Sequence, residues 1–151
     1  MHHKLNIEVV RYEERHLGKI AKSFVESFSE WKLSEVKKYL QQTYLICPEC
    51  CYIALDDNGS VAGGIFCKIS PYNNHKMIVI ESLQIIEKYR NSGVGKKLIE
   101  KVSKIAKKKR IKTIGMLVNK NTEFPISWFK KMGFQETGWI ELLVQVDKII
   151  F

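Results

Sequence analysis

Residues 77–106 hold the side chains whose types and spacing could do chemistry. They read M-I-V-I-E-S-L-Q-I-I-E-K-Y, then R-N-S-G-V-G-K-K, then L-I-E-K-V-S-K-I-A. The first run is β-branched and aliphatic and short enough for a buried strand. The third carries Val94, Leu98, Val102, Ile105 and Ala106 at helical spacing. Between them lie Gly93 and Gly95, flanked by Arg90, Lys96 and Lys97. A strand that turns through glycine-rich backbone into a helix start presents unpaired N–H groups at the positive end of a helix dipole, which suits a phosphate. The amides of Asn91, Ser92, Gly93, Val94, Gly95 and Lys96 are the expected donors, with glycine at 93 and 95 because side chains there would block the approach. A P-loop is excluded, since Arg90 stands where its first glycine belongs and Lys97 follows Lys96. A dinucleotide fingerprint is excluded as well, since Leu98 occupies the third glycine position.

One carboxylate, Glu81, falls inside the strand, where an unpaired charge is costly. Such a group could accept a proton from an ammonium, directly or through water. It could equally pair with a neighbouring base or face solvent. Glu87, at the strand end, reads as surface.

These residues need a frame to position them. Residues 4–10 alternate as a first strand, and residues 13–28 have helical spacing. Ser34 is a suitable N-cap for a second helix that turns Val36, Tyr39 and Leu40 inward. Strands over 51–55 and 61–69 flank D-D-N-G, a hairpin turn. Residues 70–76 read as a polar loop. After the strand, turn and helix of 77–106 come a buried strand at 113–118, a loop at 119–123 and a short helix from Pro125 to Met132 ended by Gly133. A strand is expected over 134–146. The order is β-α-α-β-β-β-α-β-α-β, an α/β fold with a mixed, mostly antiparallel sheet. Its central strand pair is parallel, because the unit from 77 to 118 needs a right-handed crossover. With no linker, repeat or low-complexity tract, residues 1–151 read as a single domain.

The charge is uneven. Residues 1–75 hold 9 basic and 9 acidic side chains, so the whole excess of +9 lies in 76–151. Residues 88–112 carry 11 basic side chains against Glu100 alone. That concentration suits a polyanionic ligand, although much of it is a solvated helix face. A nucleic-acid partner is not expected, since the basic helix lacks interleaved aromatics. The four cysteines, Cys47, Cys50, Cys51 and Cys67, include one C-P-E-C pair. A structural zinc site usually needs a second pair, and His2 and His3 do not supply it, so reduced thiols and no metal are expected. No apolar run approaches membrane-spanning length and no leader is visible, so the cytoplasm is the expected compartment.

R-x-x-G-x-G from Arg90 to Gly95, after a strand and opening a basic helix, with W-F-K-K-M-G-F beginning at Trp128, resembles the GNAT superfamily of acetyl-CoA-dependent N-acyltransferases. The element order is similar as well, and the resemblance covers nearly the whole chain. It implies acetyl-CoA as cosubstrate and a small-molecule or protein amine as acceptor, with a homodimer common among similar proteins. It further implies that the main chain of Leu83, Gln84 and Ile85 pairs with the pantetheine arm, and that the Ile85 amide stabilises the developing oxyanion. Glu81 becomes the candidate general base. Asn119 or Asn121 would touch the cofactor's amide arm or simply turn the chain. One departure stands out. Many relatives carry a tyrosine, the general acid, four residues before the glycine of G-F, and here that position is Phe129, expected as pocket wall, with no proton to give. Tyr52, Tyr72 and Tyr89 are stand-ins among which nothing chooses. The implied reaction is direct attack of an amine on the thioester in a ternary complex, and the alternative is a CoA-binding protein without turnover.

Overall fold

The computed structural model describes residues 5–121 and 123–151. His2, His3 and the expected start of the first strand at Lys4 lie outside them. The chain divides into two compact units, 1–117 and 118–151.

The first unit is a five-stranded sheet with helices on both faces. Its strands are β1 (Glu8–Arg11), β2 (Cys51–Leu55), β3 (Val61–Tyr72), β4 (His75–Ile85) and β5 (Thr113–Met116), in spatial order 1-2-3-4-5. The first four are antiparallel, and β4 and β5 run parallel from Met77↔Thr113 to Ile80↔Met116. The parallel pair expected at the centre is therefore the last pair, because no sixth strand follows β5 among the described residues. Residues 70–76 form no loop. They continue β3 into β4 as a tight hairpin, Tyr72 opposite His75, with Asn73 at φ +50° making the turn. Asparagine tolerates that left-handed conformation, which explains why a polar stretch reads as loop and folds as strand.

Helices α1 (Leu17–Ser27) and α2 (Leu33–Ile46) cover one face, and α3 (Val94–Lys108) covers the other. Ser34 is not the cap of α2. The cap is Lys32, two residues earlier, because the Glu35 carboxylate takes the Lys32 N–H at 3.2 Å and ends the extended backbone there. Ile20, Ala21, Phe24, Val36 and Leu40 form the core against Ile53 and Phe66 of the sheet. Neighbouring glycines in β3 show how closely the layers approach. A Cβ on Gly64 would meet Ile53 and Ile20, on the α1 side, at 2.9 and 3.1 Å. A Cβ on Gly63 would meet the Gln84 carbonyl oxygen at 2.8 Å and Val94 of α3 at 3.2 Å. Alanine at Gly63 is expected to cost about 1–3 kcal/mol by overpacking, and more than alanine at Gly64, because a backbone oxygen cannot rotate away as an isoleucine tip can. Urea unfolding of the two variants tests this, and the reverse order would count against the β3–β4 register.

The second unit contains α4 (Glu123–Lys131), a 3₁₀ turn at Val146–Lys148 and otherwise irregular chain. Gly133, at φ +98°, ends α4 as expected, with the Phe134 N–H bonded back to the Phe129 carbonyl at 3.2 Å. The expected strand over 134–146 does not form. Strand propensity does not supply a partner edge, and Gly138 at φ +79° interrupts the extended run.

Candidate functional site

After β4, a 3₁₀ turn (Glu87–Tyr89) leads into Arg90, and the chain turns left-handed at Asn91 (φ +61°) and Gly93 (φ +84°) before α3 begins at Val94. Gly93 is the N-cap, and its carbonyl takes the Lys97 N–H at 3.1 Å. Among the described residues the N–H groups of Asn91, Ser92, Gly93, Val94, Gly95 and Lys96 donate to no protein acceptor. A Cβ on Gly93 would meet nothing within 4 Å, so conformation rather than crowding requires glycine there, and the space above it is open. The bend thus offers uncommitted donors at the head of a 15-residue helix.

The loop is fastened from below. Ser92 Oγ donates to the Tyr89 carbonyl, and the Tyr89 hydroxyl donates to a carboxylate oxygen of Asp56 in the β2–β3 turn. The other Asp56 oxygen accepts the Asn58 and Ser60 N–H groups at 2.9 Å each. The Tyr89 bond, then these amides, hold the Asp56 carboxyl below its ordinary value of 3.8, and the same bond to Asp56, then burial, push the Tyr89 phenol up. A carboxyl whose value is lowered by folding stabilises the fold above its unfolded value and loses that contribution as pH falls through the folded one. The parent should therefore lose stability below about pH 4 more steeply than Asp56→Asn, read as urea midpoints at pH 7 and pH 3. Equal slopes would remove Asp56 from this anchor.

Beside the loop, one edge of β4 has no strand partner beyond Ile80 among the described residues. Pairing with β5 stops at Ile80, while Leu83, Gln84 and Ile85 remain paired on the other side with Ile65, Gly64 and Gly63 of β3. The Ile86 N–H donates to Ala62 at 2.9 Å. Main-chain groups alternate sides along a strand, so the amides of Leu83 and Ile85 point to the unpartnered edge and that of Gln84 points to β3. Arg90 Nε reaches the Ile85 carbonyl at 3.4 Å, which ties this edge to the loop. The Arg90 guanidinium also reaches Ser27 Oγ of α1 at 3.4 Å.

Glu81 has no partner in the strand register. Phe66 pairs with Ser82 and Cys67 with Ile80, so Glu81 is the extra residue of a β-bulge. Bulges re-aim side chains. This one turns the carboxylate to Lys68 Nζ at 2.7 Å and to the Tyr39 hydroxyl at 3.0 Å. The side chain keeps 23% of its surface in solvent. Burial, and then the Glu81 charge, push the Tyr39 phenol up to about 12, so at neutral pH it stays a hydrogen-bond donor. Neither Tyr39 nor Lys68 is evident from sequence as a site residue. Tyr39 reads as one inward position of an amphipathic helix, and the register that brings Lys68 to Glu81 is a tertiary fact.

The three candidate proton donors separate. Tyr89 is committed to Asp56, Tyr52 donates to the Glu49 carbonyl at 2.8 Å, and Tyr72 is exposed at the hairpin. In the second unit Phe129 is buried between Trp128 and Phe134, ring centroids 4.8 and 5.2 Å away. The Asn121 N–H donates to Asn119 Oδ1 at 2.9 Å, an Asx turn entering α4. The basic surface of α3 lines a separate cleft of about 540 Å³ with Arg11, Tyr52 and Glu49, near Lys101, Lys108 and Lys109 at the far end of the helix. Among the described residues no helix is long and apolar enough to cross a membrane.

Comparison with known proteins gives a consistent picture. Residues 17–134 match the family model described as "Acetyltransferase (GNAT) family". The chain is 24% identical over 129 residues to N-alpha-acetyltransferase 30 of Schizosaccharomyces pombe, covering 85% of this chain and 83% of that protein. Among solved structures it resembles a possible acetyltransferase from Clostridium difficile 630, with TM-score 0.78 and 17% identity over 93% of this chain and 97% of that one. It also resembles a chain of the NatC complex bound to Gag peptide and CoA, with TM-score 0.70 and 25% identity over 87% of this chain and 86% of that one.

Proposed function

The chain belongs to the GNAT acetyltransferase family, and from that premise we propose that it moves an acetyl group from acetyl-CoA to a primary amine by direct attack in a ternary complex. The observation that carries this reading is the set of uncommitted amides from Asn91 to Lys96 beside the unpartnered edge of β4. In this reading those amides grip the diphosphate, with Arg90 and Lys96 adding positive charge. The outward main chain of Leu83 and Ile85 pairs with the pantetheine arm, and Gln84 holds the strand in place from the β3 side. The Ile85 amide points where it could polarise the thioester carbonyl and stabilise the oxyanion that forms when nitrogen attacks. Collapse breaks the carbon–sulfur bond and releases CoA as a thiolate. The proton shed by the nitrogen passes to Glu81, directly or through one water. The family pattern assigns Asn121 to the cofactor's amide arm and Phe129 to the pocket wall. The family match runs across the division at residue 117, which supports reading both units as one acetyltransferase domain.

For the acceptor we favour the α-amine of a polypeptide. N-alpha-acetyltransferase 30 matches along most of its length, and the NatC chain was solved with a peptide. The cytoplasm suits both acetyl-CoA supply and four free thiols. A second reading, CoA binding without turnover, is favoured by Phe129, which cannot protonate the leaving thiolate.

Calorimetry with acetyl-CoA, followed by CoA release in the presence of short peptides and then of small amines, tests these readings. Binding with peptide-dependent release supports the first, and release with small amines alone removes the polypeptide acceptor. Binding with no release from any amine favours the second, and no binding at all removes both.

A further inference from the structure

The sequence offers one C-P-E-C pair and no second pair, but the fold adds a ligand from inside the motif. Cys47 caps the end of α2, residues Pro48–Cys50 make a single 3₁₀ turn closed by the Cys50 N–H on the Cys47 carbonyl at 3.0 Å, and β2 begins at once. This turn brings the Cys47 and Cys50 sulfurs and a Glu49 carboxylate oxygen within 4.8 Å of one another. A tetrahedral zinc ion, with bonds of about 2.3 Å to sulfur and about 2.0–2.2 Å to oxygen, spaces its donors roughly 3.5–3.8 Å apart. The triangle needs a contraction of at most about 1.3 Å to reach that spacing. We propose that Cys47, Glu49 and Cys50 form a binding site for a thiophilic divalent cation of the Zn²⁺ type, which pins the end of α2 to the start of β2.

The arrangement without metal supports this reading. On binding, both thiol protons pass to solvent and two metal–sulfur bonds form. The sulfurs lie on the buried side, with Cys47 and Cys50 at 4% and 1% exposure. Glu49 faces the cleft it lines with Arg11 and Lys109, so the carboxylate side of the triangle is the one open to water. Lys109 Nζ stands at 3.8 Å from the Glu49 carboxylate, a loose pair that yields without cost to the core. Two thiolates, one carboxylate and a dication leave a net charge of −1, which the cationic rim offsets. Cys51 and Cys67 stay outside the triangle, and the Cys51 thiol donates toward the Cys47 and Cys67 carbonyls instead. The site is separate from the loop at Gly93 and does not rest on the proposed reaction.

The test is a Co²⁺ titration of the reduced full-length chain, stripped beforehand with a chelator. One equivalent should produce a near-ultraviolet thiolate-to-cobalt charge-transfer band with tetrahedral visible bands, both displaced by Zn²⁺. About two protons should be released per ion near pH 7, a reading that needs no variant. Glu49→Gln should weaken binding at least tenfold, the double variant Cys47→Ser/Cys50→Ser should lose the charge-transfer band, and Cys67→Ser should keep it. Cobalt bound without that band, as it would be on histidines, overturns the proposal. So does a band that survives in Cys47→Ser/Cys50→Ser, or release of fewer than one proton per ion.

Discussion

Gly93→Glu should abolish acetyl-CoA binding while leaving a folded chain. The position combines φ +84° with open space where a Cβ would stand, so the new Cβ displaces no protein atom. What it meets is the volume assigned to the diphosphate, and it brings a negative charge there. Loss of the grip and like-charge repulsion together should lower affinity at least about 100-fold, equivalent to about 2.7 kcal/mol. The left-handed backbone adds a stability cost of about 1–2 kcal/mol for any residue with a Cβ. Gly93→Asn separates the two effects, because asparagine tolerates this conformation and carries no charge. It should melt close to the parent and lose far less affinity than the glutamate variant. Calorimetry with acetyl-CoA and thermal melts of both proteins give the comparison. A glutamate variant that binds like the parent would remove the loop from the cofactor site.

Glu81→Gln is the variant with the second large effect. If Glu81 takes the amine's proton, its loss should lower kcat by about 10²–10⁴-fold with acetyl-CoA affinity unchanged. The structure sharpens this test. Glu81 already accepts from Lys68 at 2.7 Å and from Tyr39 at 3.0 Å, so the same contacts would suit a merely structural carboxylate. Glutamine keeps the shape and the Tyr39 bond but cannot be a base, and it leaves the half-buried Lys68 ammonium without its counter-charge. A structural role therefore predicts a lowered melting temperature with kcat near the parental value. A catalytic role predicts the fall in kcat together with loss of the acidic limb of the pH–rate profile. Tyr39→Phe adds a readout of position: it should lower kcat modestly and leave that limb in place, since the carboxylate remains. A Glu81→Gln enzyme within threefold of the parent would return the carboxylate to the role of a strand-surface ion pair.

Local chemistry was readable along the chain. Gly93 and Gly95 between a strand and an amphipathic helix mark the bend, because positive φ and an uncovered helix start depend on neighbours a few residues away. The spacing of Val94, Leu98, Val102 and Ala106 marks the buried face of α3 for the same reason. D-D-N-G between two apolar runs marks the β2–β3 turn, and Gly133 marks the end of α4. The family likeness rests on these short-range features, and residues 17–134 carry it.

Partnerships across the sheet were not readable, since they depend on register and on which strand finds which edge. Ser70–Met77, Pro71–Lys76 and Tyr72–His75 become ladder pairs although their polarity reads as loop. Residues 134–146 have strand-forming side chains yet gain no partner edge. The bulge at Glu81 is the sharpest case. One unpaired residue in β4 turns a carboxylate that alternation alone would leave undirected onto Lys68, 13 positions away, and Tyr39, 42 positions away. Likewise a single 3₁₀ turn folds Glu49 back between two cysteines and makes three donors of a lone pair. Backbone conformation and amphipathic faces follow from neighbours in sequence, whereas the company a charged side chain keeps follows from strand register, which is settled when the layers pack.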